Sequence, residues 1–258
     1  MSEKTVLAVS GKGGVGKSTI TALTVRILSE RKSGSILAVD ANPDSNLPEL
    51  LGIQVQKTVG DVTEEMKRDI ERGKIPPTIT KKDLLEYQVI KVLRETPNFD
   101  LLVMGRGEGE GCYCMVNKLL TDIIDTLSKN YDITVMDEDA GLEHLSRRTD
   151  RDVDIMMIVT DPSSMGFRTA RKIKEVAEEV HLQFRKTYLI GNRFPPEKEF
   201  MVREQARRIG VEFGGVVPLD EKVFEFNLEG KPITQLPSNS PAFGAVEEIL
   251  KRIGLLPA

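Results

Sequence analysis

Residues 5–28 decide the fold: Thr5-Val6-Leu7-Ala8-Val9, then Gly11-Lys12-Gly13-Gly14-Val15-Gly16-Lys17-Ser18, then Thr19 and a run with Ile20, Leu23, Ile27 and Leu28 on one face. The first five residues are apolar and partly β-branched, as a buried strand requires, and the last four recur at helical spacing. Gly34 is expected to close that helix, and Ile36-Leu37-Ala38-Val39 reads as a second buried strand. Strand, helix and strand in that order make a βαβ unit, which implies a parallel sheet with a right-handed crossover. The loop between them fits GxxxxGK[ST] and sits where that pattern has physical meaning. Its glycines let backbone N–H groups wrap a β-phosphate, and the helix N-terminus adds positive potential. Lys17 is then expected to reach β- and γ-phosphate oxygens and the Ser18 hydroxyl to ligate Mg²⁺. Gly11, Lys12, Gly13, Gly14, Val15, Gly16, Lys17, Ser18 and Thr19 form the expected cradle for ATP or ADP.

Outward from this unit the alternation continues. Phe99 to Met104, Ile133 to Met136, Ile155 to Val159, Thr187 to Ile190 and Val216-Val217 are short apolar runs separated by helical patterns. The clearest helix runs from Gly166 to Val180, with Ala170, Ile173, Val176, Ala177 and Val180 inward. Ser240-Pro241 reads as an N-cap and first-turn proline opening a last helix with Val246, Ile249, Leu250 and Ile253. Such alternation predicts one doubly wound α/β domain over residues 1–258, with a mostly parallel sheet flanked by helices. The charged stretch 59–96, interrupted by Gly73-Lys74-Ile75-Pro76-Pro77, is expected to be an insertion of surface helices; it is either solvated decoration or a partner-docking surface.

Composition narrows the function classes. With 36 Lys+Arg against 40 Asp+Glu, the net charge of -4 gives no bias toward polyanions, so no nucleic-acid partner is expected. No apolar run approaches the ~20 residues of a membrane span, so no membrane partner is expected either. MSEKTVLAVSGKGG has no apolar signal region, and the expectation is a soluble cytoplasmic protein. The 2 cysteines, Cys112 and Cys114, are separated by one tyrosine. A disulfide there would close a small strained ring, so the pair reads as thiolates for metal or redox chemistry.

The segment Lys12-Gly13-Gly14-Val15-Gly16-Lys17-Ser18-Thr19 resembles the deviant Walker A motif of the MinD/ParA/nitrogenase-iron-protein superfamily of P-loop ATPases. The resemblance implies an ATP-stabilised homodimer in which Lys12 crosses to the partner's phosphates; the alternative is that Lys12 only adds local positive charge. Val39-Asp40-Ala41-Asn42-Pro43-Asp44 is similar to that family's switch I, and Val135-Met136-Asp137 to its Walker B strand. Asp137 would hold Mg²⁺ through water, and Gly141 would offer its N–H to the γ-phosphate. Leu189-Ile190-Gly191-Asn192-Arg193 and Val217-Pro218-Leu219-Asp220 resemble the adenine-side segments. Asn192 would meet the base there, although as local structure it is as readily a turn residue. The chain departs from the family's D-x-D-P switch I pattern at Asn42, which can orient water but cannot accept a proton as a carboxylate does. The catalytic set implied is Lys12, Lys17, Asp40, Asn42, Asp44 and Asp137, with Asp40 or Asp44 supplying the carboxylate and hydrolysis expected to be slow. Asp44 is alternatively an N-cap for the helix at Leu47 to Leu51.

The stretch Met104-Gly105-Arg106-Gly107-Glu108-Gly109-Glu110-Gly111-Cys112-Tyr113-Cys114, together with Asp137 to Arg148, closely resembles the CooC family, accessory ATPases that mature nickel-containing carbon monoxide dehydrogenase. Two thiolates one residue apart cannot readily fill a four-coordinate shell, but two copies across a dimer axis supply Cys₄, suited to Zn²⁺ or Ni²⁺. The expectation is an ATP-driven homodimer binding Ni²⁺ or Zn²⁺ through Cys112 and Cys114, with an apo nickel enzyme as client, either carbon monoxide dehydrogenase or acetyl-CoA synthase. Three alternatives stay open: an electron donor like the nitrogenase iron protein with a bridging [4Fe–4S] cluster, a ParA/MinD positioning ATPase with incidental cysteines, and a non-catalytic nickel store. His144, Glu108 and Glu110 are more simply surface or packed residues than ligands, and Arg147-Arg148 are expected to make surface ion pairs or dock the client.

Overall fold

Alternating apolar residues along the longer strands feed two separate cores, one on each face of a single sheet. The computed structural model describes residues 4–74, 80–106, 124–139, 153–179 and 184–257. Its strands are β1 (Thr5–Gly11), β2 (Ile36–Asp40), β3 (Arg94–Glu95), β4 (Asp100–Val103), β5 (Ile133–Asp137), β6 (Val153–Thr160), β7 (Phe184–Asn192) and β8 (Glu212–Val217). They form an 8-stranded sheet in the order β3-β4-β2-β5-β1-β6-β7-β8. All neighbours are parallel except β3 and β4. The doubly wound, mostly parallel architecture is the one expected from the alternation of patterns.

Leu7 and Val9 point to one face and Val6 and Ala8 to the other, the period-2 alternation of a pleated strand. On the first face α1 (Lys17–Glu30), α2 (Leu47–Leu51) and the C-terminal helix (Pro241–Arg252) bury Leu23, Leu47, Val246 and Leu250. The second face is covered by α3 (Val59–Glu71), α4 (Lys81–Val92), α5 (Ser164–Glu179) and α6 (Glu199–Ile209). Among the described residues no helix is long and apolar enough to cross a membrane.

Several expectations are corrected in detail. The helices within 59–96 are not mere surface decoration: Val59, Val62, Met66, Leu85 and Val89 are buried. Burial of a side chain of this size is worth about 1.5–3 kcal/mol, so α3 and α4 belong to the second core. Their many charges mask a narrow apolar stripe. The same stretch also holds β3, too short and too polar to register as a strand. Helix α1 ends at Glu30 with Arg31 as its cap, so Gly34 lies in the following loop rather than closing the helix. The inward face predicted for Gly166 to Val180 holds at Ala170, Ile173 and Ala177, while Val176 is half-buried and Val180 lies outside the described residues.

Caps set the ends of the helices. Thr58 opens α3 with a capping box: its hydroxyl accepts from the Asp61 N–H, and the Asp61 carboxylate accepts from the Thr58 N–H at 2.7 Å. Ser240 caps the C-terminal helix as expected, its hydroxyl accepting from the Phe243 N–H. Asp220 caps α7 (Glu221–Glu229), accepting from the Lys222 N–H at 2.9 Å, and also accepts from the Ala242 N–H at 3.0 Å and the Ser240 hydroxyl. Burial opposes its ionisation, but these hydrogen bonds win and hold its pKa below the ordinary carboxylate value. One carboxylate thus joins the starts of two helices. Asp220→Ala is expected to lower the free energy of unfolding by about 1–3 kcal/mol, because buried N–H donors lose their acceptor; urea titration measures the loss. In the wild type this contribution is present above the unfolded-state pKa and disappears as pH falls through the depressed folded-state value.

Candidate functional site

The strand order β2-β5-β1 brings three C-terminal strand ends together, and each carries a functional residue. Asp40 ends β2, Asp137 ends β5 in register beside it, and the glycine-rich loop leaves β1 next to both. Clefts outside the carboxyl ends of parallel strands are where open α/β sheets bind ligands.

Gly16 stands at the N-cap of α1 with φ 93°, a left-handed conformation that a side chain would strain. A Cβ there would lie 2.4 Å from the Asn192 amide nitrogen. That amide donates to the Val15 carbonyl at 2.7 Å, and the Arg193 guanidinium donates to the Gly14 carbonyl at 3.2 Å. The end of β7 therefore clamps the loop from behind. No acidic residue stands in the first turn of α1, and among the described residues no side chain caps it, which leaves its N-terminal N–H groups as an anion site. Lys17 is buried in this loop. Lys12 is half-exposed, with no ion-pair partner among the described residues.

Asp137 is wholly buried and accepts from the Ser18 hydroxyl at 2.5 Å and the Thr21 hydroxyl at 3.1 Å. Burial raises its pKa to about 6, against the lowering effects of these hydrogen bonds and the Lys17 charge. Asp40, also wholly buried, is pushed to about 7 by burial first and then by Asp137. The Asp137 carboxylate with the Ser18 hydroxyl against it offers hard oxygens of the kind that suit Mg²⁺. Ser18 and Asp137 fit that ion, and Lys17 supplies a further compensating charge. Thr21 has no place in the sequence motif; only its position one helical turn after Lys17 would have pointed to it.

Switch I differs from one expectation. Asp44 does not cap α2. The Asp40 carboxylate does so, accepting from the Leu47 N–H at 3.0 Å and the Asn42 N–H at 3.1 Å. The Asn42 side-chain oxygen accepts from the Asp44 N–H at 3.0 Å, and the Asp44 carboxylate pairs with Arg106 at 2.9 Å. A cavity of about 370 Å³ spans the loop (Gly13, Gly14, Gly16 to Thr19), switch I (Asn42, Asp44, Asn46) and a third wall of Arg193, Phe226, Asn227 and Lys231. Of this wall Arg193 is an expected residue, whereas Phe226, Asn227 and Lys231 carry no sign in the sequence, since α7 and the turn after it hold no phosphate or base motif.

The expected adenine-side residues are only partly at this cavity. Arg193 lines it, whereas the Asn192 amide is turned to Val15 and the Arg193 backbone. Asp220 is committed to its caps, Pro218 is half-buried beside it, and Leu219 is 68% exposed away from the cavity lining. Gly141, His144, Cys112 and Cys114, with Glu108, Glu110, Arg147 and Arg148, lie outside the described residues. The segment leading to the cysteines is described as far as Arg106. There the Met104 carbonyl accepts from the Gly60 N–H at 2.8 Å, and Arg106 reaches Asp44.

The sequence family described as CobQ/CobB/MinD/ParA nucleotide binding domain matches residues 6–233. An uncharacterized ATP-binding protein of Methanocaldococcus jannaschii is 48% identical over 248 residues, covering 96% of this chain and 98% of that protein. The carbon monoxide dehydrogenase accessory protein CooC of Rhodospirillum rubrum is 30% identical over 186 residues, covering 69% of this chain and 70% of CooC. Among solved structures, a ParA family ATPase from Chlorobium tepidum superposes with a TM-score of 0.72 at 21% identity, covering 99% of this chain and 100% of that one. MinD from Pyrococcus horikoshii, solved with Mg-ADP, gives a TM-score of 0.67 at 21% identity, covering 97% and 96%. These two likenesses concern the fold.

The raised carboxylates set a pH dependence. Between the ordinary value of 3.8 and the folded value of about 7, the native state holds more protons on Asp40 than the unfolded chain does. Stability of the nucleotide-free protein therefore falls as pH rises through that window. Mg²⁺ with ADP compensates the charge, so the melting temperature, followed from pH 4.5 to 7.5 by calorimetry, is expected to decline without ligand and to flatten with it. Equal slopes would refute the charge-compensation account.

Proposed function

Because the chain belongs to the CobQ/CobB/MinD/ParA nucleotide-binding family of P-loop ATPases, we propose that its ATP cycle serves the delivery of nickel to an apo metalloenzyme, with carbon monoxide dehydrogenase as the first client to test. One observation carries this reading: the Cys112-Tyr113-Cys114 pair within a glycine-rich segment similar to that of the CooC family, in a chain 30% identical to a CooC protein. Acetyl-CoA synthase is the alternative client on the same chemistry. Nickel is the cargo, bound by thiolates that two copies of the chain contribute across a dimer axis.

In the proposed cycle the loop N–H groups and Lys17 hold the phosphates of ATP, and Lys12 reaches those of the partner copy. Water attacks the γ-phosphorus as the bond to the β,γ-bridging oxygen breaks, giving ADP and phosphate without a covalent enzyme intermediate. Ser18 and Asp137 would hold Mg²⁺, which would neutralise charge on the phosphate oxygens. Asn42 orients the water. Asp40 is poorly suited to receive the proton, because both its oxygens accept backbone N–H bonds. Asp44 lines the cavity and, among the described residues, its carboxylate pairs only with the exposed Arg106, so Asp44 is the carboxylate assigned to assist. That pair also supports coupling: an Asp44 drawn toward nucleotide releases Arg106, six residues ahead of Cys112, and so links nucleotide state to the cysteine segment.

A second reading, a positioning ATPase like ParA or MinD, is favoured by the fold similarity to both; it predicts hydrolysis stimulated by DNA or by lipid vesicles. The decisive measurement is Ni²⁺ stoichiometry by anaerobic equilibrium dialysis with molar mass by light scattering, on wild type and on Cys112→Ala/Cys114→Ala. One nickel per dimer, absent in the double variant and altered by ATP, is the expected result. Nickel binding that is absent, or indifferent to the cysteines, overturns the delivery reading. Lys12→Ala is expected to retain ADP binding while losing the ATP-dependent increase in mass.

A further inference from the structure

Helices α5 and α6 leave a groove of about 620 Å³ between them, away from the nucleotide cavity. Its floor is apolar: the Phe167 and Phe194 rings meet at 5.9 Å with a 57° tilt, and Met201 forms part of one wall. Met165 and Phe200 also stand more than half exposed on the same two helices. The rim is cationic. Arg168, Arg171, Lys198 and Arg208 line the groove, and among the described residues no carboxylate does. Arg208 is engaged by Glu204 at 2.5 Å, but Arg168, Arg171 and Lys198 have no ion-pair partner among the described residues. In a chain whose net charge is -4, this is a local reversal of sign.

We infer that this groove docks an acidic amphipathic segment of a partner protein, its apolar side chains on Phe167, Phe194 and Met201 and its carboxylates against Arg168, Arg171 and Lys198. Apolar floor and cationic rim each select one half of that partner. A peptide with an apolar stripe removes the floor from water, and its acids match a rim that repels basic partners. A nucleic-acid backbone would satisfy the rim and leave the floor wet. The inference stands apart from the nickel reading, since none of these residues lines the nucleotide cavity.

The test needs no known partner. Random peptides of roughly 16 residues, long enough for several helical turns, are displayed and selected on ADP-loaded wild type, with depletion on Arg168→Glu/Arg171→Glu. Enriched peptides are expected to be acidic, with apolar residues at helical spacing. A synthetic peptide from that pool is then titrated by fluorescence anisotropy. Its affinity is expected to fall at least about tenfold in Arg168→Glu/Arg171→Glu and in Met201→Asp, and to weaken with added salt. Both variants should bind ADP as wild type does, which reports an intact fold; Arg168→Ser/Arg171→Ser replaces the charge reversal if it does not. Neutral or basic enriched sequences, no enrichment beyond the depleted pool, or equal affinity in variants and wild type would each overturn the inference. Duplex DNA run in parallel would overturn it as well if DNA, and no acidic peptide, binds in a manner lost on charge reversal.

Discussion

Two carboxylates, Asp40 and Asp137, end adjacent strands at the same level of the sheet and are both fully buried. Burial opposes ionisation of both and is the main cause of their raised pKa values, with the Asp137 charge adding to it at Asp40 and the Asp139 charge at Asp137. Everything at this end of the molecule answers it. Ser18, Thr21 and Lys17 lean on Asp137 from the first turns of α1. The backbone of switch I folds over Asp40, donating the Asn42 and Leu47 N–H groups. The site is thus strained toward cations, and a metal nucleotide is the ligand that supplies them together with the anionic groups for the loop.

The same economy ties the nucleotide loop to the rest of the fold. Asn192 and Arg193 leave β7 and hold the carbonyls of Val15 and Gly14. Asp40 builds α2 while Asp44 pairs with Arg106, the last described residue before the cysteine segment. Exposed ion pairs of this kind contribute at most about 1 kcal/mol. The Arg106–Asp44 contact is therefore weak enough to exchange for another partner, which is what a switch requires.

Legibility in the sequence varied with the kind of signal. The βαβ unit, the order of the central strands' patterns and the loop motif could be read directly, because each is local and each has its own period or spacing. α3 and α4 were read as surface because Glu, Lys and Arg dominate their composition, yet Val59, Met66, Leu85 and Val89 anchor them to the sheet. Asp44 looked like a helix cap by spacing, whereas Asp40 reaches Leu47 from seven residues away. Asn192 and Asp220 sat in segments resembling adenine contacts, but their side chains are spent on the loop carbonyl and on two helix starts.

What the sequence determined by itself is what neighbours along the chain decide: strand against helix by period, the glycine positions that allow a left-handed turn, and the cation and hydroxyl that follow them at Lys17 and Ser18. Only the tertiary structure decided which residues from distant segments share one dielectric environment. Asp40 and Asp137 are 97 positions apart in the chain, and nothing local in either segment states that they adjoin. Their proximity follows from strand order, and their raised pKa values follow from burial, which is a property of the packed whole. The groove between α5 and α6 has the same origin, for its charges are scattered in sequence and become one rim only when two helices lie side by side.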